Sequence, residues 1–285
     1  MKIKRANNKR LNELLGVEIP VLDKGFIRVI DYMGDDAAIV QAARVSYGEG
    51  TKQKTKDRGL IRYLMKHRHT SPFEMCELKI HVKMPIFVAR QWIRHRTANV
   101  NEYSGRYSVI KDEFYIPQKE NLAVQSTINK QGRGAVLDEV CANNALSIIE
   151  GLSSEAYDKY QSLLNINEGE GLARELARMV LPVNAYTEWY WKIDLHNLLH
   201  FISLRADSHA QFEIREYADK LIEVLKIWVP LTWAAFEDYR MYGKSFSKDE
   251  LVAIRHLIKG EPVALEDLKL SKREIDDLYQ ILNVK

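Results

Sequence analysis

Apolar and polar residues alternate without a break from Cys76 to Met84, and this pattern constrains the fold more than any other stretch of the chain. Cys76, Leu78, Ile80, Val82 and Met84 would share one face of an extended strand, and polar side chains would occupy the other face. A two-residue period sustained this long is typical of a strand with one buried and one solvated face. Such strands belong to antiparallel sheets that are covered on one side. The alternation therefore predicts a sheet of this kind.

Most of the remaining chain carries helical periodicity or helix-capping residues. Asp35 and Asp36 can cap a helix that runs to about Val45, and Asp194 can cap one that runs to Arg205. Further strands are predicted at 25–32 and 184–191, and further helices at 59–67, 86–96, 135–164, 172–180, 210–228 and 231–242. The polar segment 121–134 is predicted to be a long loop. Together these elements predict an α+β fold, in which several helices pack against an antiparallel sheet.

The net charge of the chain is concentrated in one segment. With 42 Lys and Arg residues against 39 Asp and Glu residues, the formal charge is +3. Residues 90–107 account for all of it, because they contain Arg90, Arg94, Arg96 and Arg106 but only one carboxylate, Glu102. A local basic cluster in an otherwise balanced protein favours a bound anion over a general polyanion surface. A solvated, arginine-rich helix end is the alternative.

Composition excludes several other classes of protein. The chain has no stretch of the roughly 20 apolar residues that a membrane-spanning helix needs. Residues 1–15 are polar and basic, without the apolar centre of a secretory signal. With only Cys76 and Cys141, no disulfide framework is expected. We therefore expect a cytoplasmic protein that does not bind membranes.

The basic segment also contains the other groups of a small-molecule site. Residues 94–107 read RHRTANVNEYSGRY, which places guanidinium groups, an imidazole, carboxamides, a carboxylate and a hydroxyl close together in the chain. Arginine can bind phosphate in a bidentate manner, and Ser104–Gly105 can offer backbone amides to an anion. Tyr103 and Tyr107 could stack on a planar ring. These residues indicate a site for a phosphorylated, planar ligand.

This segment resembles the signature RHRxxSxNxxSxRY of the flavin-dependent thymidylate synthases. It matches every fixed position except one, where Asn99 replaces a serine. Similarity continues through GFIRVIDYMGDD, HTSPFE, HVKMPIFVARQW, EFYIP, GLARELARMVLP, YTEWYW and LRADSHAQ. It covers roughly residues 23–242. Asparagine keeps the hydrogen-bonding capacity at position 99, so we expect activity to survive this departure.

The resemblance implies the reductive methylation of dUMP to dTMP. In this family 5,10-methylenetetrahydrofolate supplies the one-carbon unit, FAD relays hydride and NADPH reduces the flavin again. The family has its own α+β fold, and GxGxxG, the fingerprint of Rossmann dinucleotide binding, is absent from this sequence. The family works as a homotetramer whose active sites lie at subunit interfaces, with dUMP and folate as small-molecule partners and no nucleic acid.

The same resemblance implies which residues bind dUMP and FAD. Those assigned to dUMP are Gln91, Arg94, Glu102, Tyr103, Ser104, Gly105, Arg106, Arg178 and Arg205. Those assigned to FAD are His69, Ser71, Glu74, Arg94, His95, Arg96, Asn101, Glu102, Asp194, His196 and His200. The downstream match is looser, because Asp194, His196 and His200 replace asparagine and arginine positions of the family pattern. Asp194 would repel a flavin phosphate, and capping a helix is its alternative role. For Arg178 the alternative is a helix salt bridge with Glu175.

The implied mechanism uses no cysteine nucleophile. Cys76 lies on the apolar face of the predicted strand, and Cys141 shares an apolar helical stripe with Leu137 and Ile148, so we expect both thiols to be buried. Uracil C5 must then become electron-rich by other means. A fixed guanidinium that stabilises negative charge across N3 and O4 would do so. The resemblance places this catalytic role on Arg205, with Ser104 as the other catalytic residue.

Two other kinds of function are weighed against this one. His196 and His200 lie four residues apart on a predicted helix, but HExxH is absent and no third ligand is evident, so no metal site is expected. The basic loop from Arg94 to Arg106 could instead belong to a non-catalytic protein that binds nucleotide or RNA, although no RNA-binding signature is present. We expect three regions: an N-terminal extension (1–22), a catalytic domain (23–245) and a C-terminal helical extension (246–285).

Overall fold

The strand predicted from the alternation at 76–84 lies in the middle of a five-stranded antiparallel sheet. The computed structural model describes residues 5–45, 57–127, 132–166, 170–261 and 268–283. The strands of this sheet are β1 (Glu18–Val21), β2 (Gly25–Met33), β3 (Glu77–Pro85), β4 (Asn99–Glu102) and β7 (Tyr186–Asp194), in the spatial order β1-β2-β3-β7-β4. All neighbouring strands are antiparallel. The predicted α+β fold with an antiparallel sheet is confirmed.

One face of the sheet is buried beneath helices. The helices of the first part of the chain are α1 (Lys9–Glu13), α2 (Asp36–Arg44), α3 (Asp57–Lys66), α4 (Ser71–Glu74), α5 (Ile86–Trp92), α6 (Glu139–Leu164), α7 (Arg174–Ala177), α8 (Leu195–Arg205), α9 (Phe212–Trp228) and α10 (Pro230–Phe236). Trp92 of α5 is fully buried and meets Trp191 of β7 edge-on, with ring centroids 5.2 Å apart. Phe201 of α8 packs against both rings, at 4.7 and 5.3 Å. This aromatic cluster attaches α5 and α8, which carry predicted site residues, to the sheet.

Aspartate side chains fix the starts of several helices. Asp35 accepts from the backbone N–H of Ala38 and begins α2, as predicted. Asp36 instead reaches the start of α10, where its carboxylate accepts from the N–H of Leu231 (2.8 Å) and from the N–H and hydroxyl of Thr232 (3.0 and 2.6 Å). Burial raises the pKa of Asp36, although these hydrogen bonds oppose the rise. Asp35 therefore caps α2, and its neighbour Asp36 forms hydrogen bonds with the first turn of α10.

Some predicted boundaries are wrong. The segment predicted as a loop contains β5 (Ala123–Gln125) and β6 (Arg133–Val136), which pair as a separate two-stranded sheet. Residues 128–131 of that segment lie outside the described part of the chain. Because β6 occupies 133–136, helix α6 begins at Glu139, where Asp138 caps it, rather than at 135.

Other helices end earlier than their periodicity suggests. Helix α5 ends at Trp92, four residues before the predicted end at Arg96. The helix predicted at 172–180 is the single turn α7, followed by a 3-10 turn at Arg178–Val180. Helix α10 ends at Phe236 and is followed by a π-helical turn at Glu237–Met241. In each case regular α-helical hydrogen bonding stops before the predicted end of the helix.

The chain divides into two compact units, residues 1–236 and 237–285. The N-terminal segment contributes to the first unit, because β1 pairs with β2 and the Asn8 side chain donates to the carbonyl of Ile227 (2.6 Å). The second unit contains α11 (Lys248–Lys259) and α12 (Lys272–Leu282). Both of these helices begin with a capping box, made by Ser247 with Glu250 and by Ser271 with Glu274. No helix in the described ranges is long and apolar enough to cross a membrane.

Candidate active site

The arginine-rich segment divides into two groups on either side of the short edge strand β4. Before β4, the chain leaves α5 and turns through residues 93–98. After β4, it turns again at residues 103–108. The register of β4 on β7 runs from Asn99 opposite Lys192 to Glu102 opposite Trp189. Since a strand rises about 3.3 Å per residue, β4 itself spans roughly 10 Å between the two turns.

The turn after β4 brings together four of the residues predicted to bind dUMP. We call Ser104, Gly105, Arg106 and Arg178 the turn group. Tyr103 attaches the turn to β7 through its N–H, which donates to the carbonyl of Glu188 (2.8 Å). Gly105 is buried, and a Cβ at this position would lie 3.3 Å from Cδ of Arg178. The side chain of Arg178 therefore lies directly over the backbone of Gly105.

Two residues that sequence reasoning did not assign hold the turn group in place. The Arg106 guanidinium pairs with the Glu175 carboxylate (Nε–Oε2 3.0 Å), and Arg174 donates to the carbonyl of Tyr107 (3.0 Å). Arg178 donates to the backbone carbonyl of Glu175 (3.4 Å) rather than to its carboxylate. Arg106 contacts the Glu175 carboxylate and Arg178 the Glu175 backbone; with Arg174, three guanidinium groups and one carboxylate give this region a net charge of +2. The sequence pointed to Arg174 only through its position in the matched segment LARELARMV, and to Glu175 also as a possible salt-bridge partner of Arg178.

Backbone donors complete the turn group. In the described part of the chain, the N–H groups of Ser104 and Gly105 donate no hydrogen bond, whereas the N–H of Tyr107 donates to the carbonyl of Ser104 (3.1 Å). Successive free N–H groups in a turn form a concavity that binds anions. Together with the positive charge of Arg106 and Arg178, this arrangement is suited to a phosphate.

The other predicted residues around β4 have different environments. The Glu102 carboxylate accepts from the hydroxyl of Thr187 (2.8 Å) on the inner side of the sheet. The Tyr103 hydroxyl donates to the carbonyl of Val109 (2.9 Å), so it closes its own loop. Asn101 lies opposite Tyr190 and is exposed.

The end of α5 and helix α8 form the second group. We call Gln91, Arg94, His95, Arg96 and Arg205 the helix-end group. His95 is 8% exposed, its ring lies 5.6 Å from that of His200, and its Nε2 is 3.1 Å from the Thr97 hydroxyl. Burial lowers the pKa of His95, and the neighbouring His200 adds to this effect. The imidazole of His95 is therefore neutral at neutral pH.

Arg205 is held from behind by the backbone of α5. Its Nη2 donates to the carbonyl of Gln91 (3.1 Å), while its Nε is buried and, among the described residues, has no hydrogen-bond partner. Burial lowers the pKa of Arg205, but a guanidinium stays protonated at physiological pH. Arg94 and Arg96 are exposed and form no ion pair within the described ranges. The backbone of α5 therefore fixes the position of the Arg205 guanidinium.

The residues at the start of α8 differ in their freedom to bind a ligand. Asp194 accepts from the N–H (2.9 Å) and the side-chain amide (2.7 Å) of Asn197, so both of its carboxylate oxygens cap the helix. The predicted capping role is confirmed. His196 is half-buried and His200 is exposed on the same helix. In the described part of the chain, no three His, Cys, Asp or Glu side chains are placed to hold a metal ion.

A third set of predicted residues lies on α4 and just before it. His69 and Ser71 line a cavity of about 1000 Å³ together with apolar side chains of α2 and α3. The His69 ring meets Tyr63 edge-on, with centroids 5.7 Å apart. Glu74 belongs to α4 but does not line this cavity. Helix α4 packs against α8, so the cavity lies next to the helix that carries His200 and Arg205.

The two cysteines have opposite environments. Cys76 is fully buried, its thiol lies 3.6 Å from the carbonyl of Asp35, and burial raises its pKa to about 12. Cys141 is exposed, so the prediction that it is buried is wrong. The apolar stripe to which it belongs, including Ile148, faces away from the core of this chain. The Asp138 side chain raises the pKa of Cys141, and neither thiol is therefore activated as a nucleophile.

Known proteins resemble this chain over nearly its whole length. A family model described as thymidylate synthase complementing protein matches residues 28–231. A flavin-dependent thymidylate synthase of Gluconobacter oxydans is 58% identical over 273 residues, which are 96% of this chain and 90% of that protein. Another, of Rickettsia conorii, is 55% identical over an alignment of 287 positions that covers 98% of each chain.

A solved structure shares the fold. The crystal structure of a UMP/dUMP methylase, PolB from Streptomyces cacaoi, bound with 5-Br UMP, has a TM-score of 0.69 to this chain at 35% identity. The match covers 78% of this chain and 97% of that one. The chain therefore belongs to the thymidylate synthase complementing protein family, as one of its flavin-dependent thymidylate synthases.

Proposed function

We propose that the protein converts dUMP to dTMP by reductive methylation, with 5,10-methylenetetrahydrofolate as the one-carbon donor, FAD as the hydride relay and NADPH as the reductant. The names of its relatives and the UMP/dUMP methylase with the same fold support methylation of a uridine nucleotide. The observation that carries the proposal is the pair of cationic groups on either side of β4. One of them has free backbone donors, and the other contains Arg205 with its unsatisfied buried donor.

The turn group would hold the phosphate of dUMP. Arg106 and Arg178 supply positive charge, and the free N–H groups of Ser104 and Gly105 supply directed donors. Gly105 leaves room here, because a Cβ at this position would lie 3.0 Å from Cδ1 of Ile110 and 3.3 Å from Cδ of Arg178. The ion pair with Glu175 fixes Arg106 before the ligand arrives, which lowers the entropy lost on binding.

FAD would bind between the cavity beside α4 and the helix-end group. Arg94, His95 and Arg96 offer donors for its pyrophosphate, His69 and Ser71 line the cavity, and His196 and His200 present imidazoles from α8. We assign Asp194 to helix capping and leave it out of the flavin set, because both of its oxygens are already engaged. When bound, FAD supplies hydride transfer. Glu74, Asn101 and Glu102 complete the proposed flavin contacts.

Arg205 would activate the uracil. Its guanidinium stabilises the negative charge that develops across N3 and O4, and this makes C5 electron-rich without a covalent bond to the protein. A preorganised donor in a water-excluded site is worth about 3 kcal/mol in such a role. The hydrogen bond from Nη2 to the carbonyl of Gln91 keeps the guanidinium from rotating. The environments of Cys76 and Cys141 support a route that does not depend on a thiolate.

A complete dUMP site would need more than one copy of the chain. Gln91 and Arg94 lie before β4 in the chain and Arg205 is hydrogen-bonded to Gln91, whereas Ser104, Arg106 and Arg178 form the turn group after β4. We propose that a neighbouring subunit brings the helix-end group of one chain to the turn group of another, in a homotetramer. Mixing two inactive variants, Arg205→Ala and Arg106→Ala, would then restore part of the activity, because some mixed sites carry neither change. No recovery after subunit exchange would refute sites shared between subunits.

The primary test uses the purified full-length protein. A flavin absorption spectrum, and dTMP formation that requires dUMP, methylenetetrahydrofolate and NADPH together, would support the proposal. Absence of flavin binding after incubation with FAD would refute it.

The alternative, a non-catalytic nucleotide- or RNA-binding protein, would bind RNA without flavin. The pairing of Arg106 with Glu175 disfavours it, because this contact neutralises part of the basic loop. We place the reaction in the cytoplasm, in keeping with two cysteines that form no disulfide.

A further inference from the structure

A buried carboxylate outside the predicted site is connected to the site by a series of side-chain hydrogen bonds. Glu213 of α9 is 2% exposed. Its Oε1 pairs with Arg133 of β6 and accepts from the Tyr115 hydroxyl (3.2 Å), while its Oε2 accepts from the amide of Gln211 (2.8 Å). The Gln211 carbonyl oxygen accepts from the amide nitrogen of Gln91. We call these residues the Glu213–Gln211–Gln91 network.

The carboxylate at its end sets the direction of every hydrogen bond in this network. A carboxylate can only accept, so Gln211 must turn its NH₂ group toward Glu213 and its oxygen toward Gln91. Gln91 must then turn its own NH₂ group toward Gln211. Its Oε1 is left pointing away from the network, and within the described ranges this atom accepts no hydrogen bond. The Gln91 amide could otherwise turn either its NH₂ group or its oxygen away from the network. The network restricts it to the orientation in which the oxygen, an acceptor, points away.

The residue that carries this acceptor also anchors a fixed donor. The Arg205 guanidinium donates to the backbone carbonyl of the same Gln91, so both groups are attached to one residue of α5. Uracil carries a donor, N3–H, between two carbonyl acceptors, O4 and O2. Cytosine carries an acceptor at N3 and an amino group in place of O4. An acceptor beside a guanidinium donor therefore matches uracil and opposes cytosine.

We propose that Gln211 and Glu213 are positioning residues that determine the selectivity of the site for uracil over cytosine. They do so by holding Oε1 of Gln91 toward N3–H of the base, while Arg205 donates to O4. The inference deepens the proposed function and rests on it, since it takes Gln91 and Arg205 as uracil contacts. A site that must leave a polar group unpaired with the wrong ligand discriminates far more strongly than one that relies on shape.

The experiment measures equilibrium binding of dUMP and of dCMP to the flavin-loaded full-length protein by calorimetry. In the wild type we expect dUMP to bind on the order of 100-fold more tightly than dCMP. Glu213→Gln keeps the size of the side chain, but because Arg133 can only donate, the new amide turns its oxygen toward Arg133 and its NH₂ group toward Gln211, which reverses the hydrogen bonds of the network. We expect this variant to lose about 10-fold of the selectivity, mainly through weaker dUMP binding and stronger dCMP binding, because Gln91 is then inverted.

Two further variants separate this effect from general damage to the fold. Gln211→Met breaks the network at an exposed position, where folding does not depend on the side chain, and should show the same loss. The double variant Gln211→Glu with Glu213→Gln moves the carboxylate to position 211, so Gln91 again meets an acceptor-only partner and selectivity should return. Glu216→Gln, a half-buried carboxylate on the same helix, is the matched control and should leave the selectivity unchanged.

Unchanged selectivity in Glu213→Gln and Gln211→Met would overturn the inference. If Glu213→Gln does not fold, Gln211→Met alone decides. A double variant no more selective than Glu213→Gln would also overturn it, because the direction of the hydrogen bonds would then not matter. Failure of the wild type to bind dUMP would refute the proposed function itself. If the network variants form dTMP from dUMP and also keep the full preference for dUMP over dCMP, only the role of the network is refuted and the proposed function stands.

Discussion

Replacement of Arg205 probes how much of the rate depends on one fixed guanidinium. Arg205→Ala removes the donor to the ligand and also the hydrogen bond from Nη2 to the carbonyl of Gln91. Loss of that internal bond costs about 1 kcal/mol of folding stability, which is small against the roughly 5–15 kcal/mol typical of folded proteins. Loss of a preorganised donor at the developing charge costs about 2.7–4 kcal/mol, or roughly 10²–10³ in kcat. The variant should therefore fold and bind flavin but turn over far more slowly.

Arg205→Lys makes the test more specific. A lysine keeps the positive charge, but its single ammonium cannot bond to the Gln91 carbonyl and contact the uracil in a fixed, planar geometry. We expect it to lose about 10–100-fold in kcat, between the wild type and Arg205→Ala. Rapid-quench measurement of dTMP in a single turnover, with flavin content determined on the same sample, separates chemistry from cofactor loss. Arg255→Ala, on the exposed face of α11, is the control. Wild-type turnover in Arg205→Ala would refute the role assigned to this residue.

Three further predictions each follow from the surroundings of one residue. An alkylating reagent should modify Cys141 in the folded protein but should reach Cys76, whose pKa is raised to about 12, only after unfolding. Peptide mass spectrometry would show the modified residue, and early labelling of Cys76 would contradict the prediction. Gly105→Ala should raise KM for dUMP by about 10-fold with flavin content unchanged, because a Cβ would lie 3.0 Å from Ile110 and 3.3 Å from Arg178. Steady-state kinetics measures this, and an unchanged KM would contradict close packing of Gly105 against these two side chains. Because the pKa of His95 is lowered in the folded state, the unfolded state takes up a proton first as the pH falls below about 6.5. The free energy of unfolding should then decrease from pH 7.5 toward about pH 5.5, and urea titrations of His95→Gln should show a smaller decrease.

Elements that bury one face were predictable from the sequence. Strand β3 buries Leu78, Ile80 and Val82, so its alternation is visible in the sequence. The caps at Asp35 and Asp194 were equally predictable, because a side chain that accepts from a backbone N–H two or three residues on is a local feature. In these elements, local preference and burial point to the same structure.

Strands that bury none of their side chains were not predictable. Strands β4 and β6 have every residue exposed, so they carry no alternation, and β6 was assigned to a loop and a helix. Cys141 was misplaced for the related reason that an apolar helical stripe does not show which surface it faces. The grouping of Arg178 with Gly105 came from the family resemblance. The roles of Glu175, Gln211 and Glu213 depend on contacts between distant parts of the chain, which spacing alone does not indicate.

The register of β4 accounts for the fixed spacing of the arginine-rich segment. Its neighbours on β7 place Asn101 opposite the exposed Tyr190 and Glu102 opposite the buried Trp189. Because side chains alternate between the two faces of a strand, a slip of one residue would exchange these environments and turn Glu102 away from Thr187. The same slip would displace the turn after β4 by about 3.3 Å and separate Gly105 from Arg178. The four residues of β4 determine the distance between the two cationic groups. The number of residues in the arginine-rich segment is therefore as important to the site as the charged residues themselves.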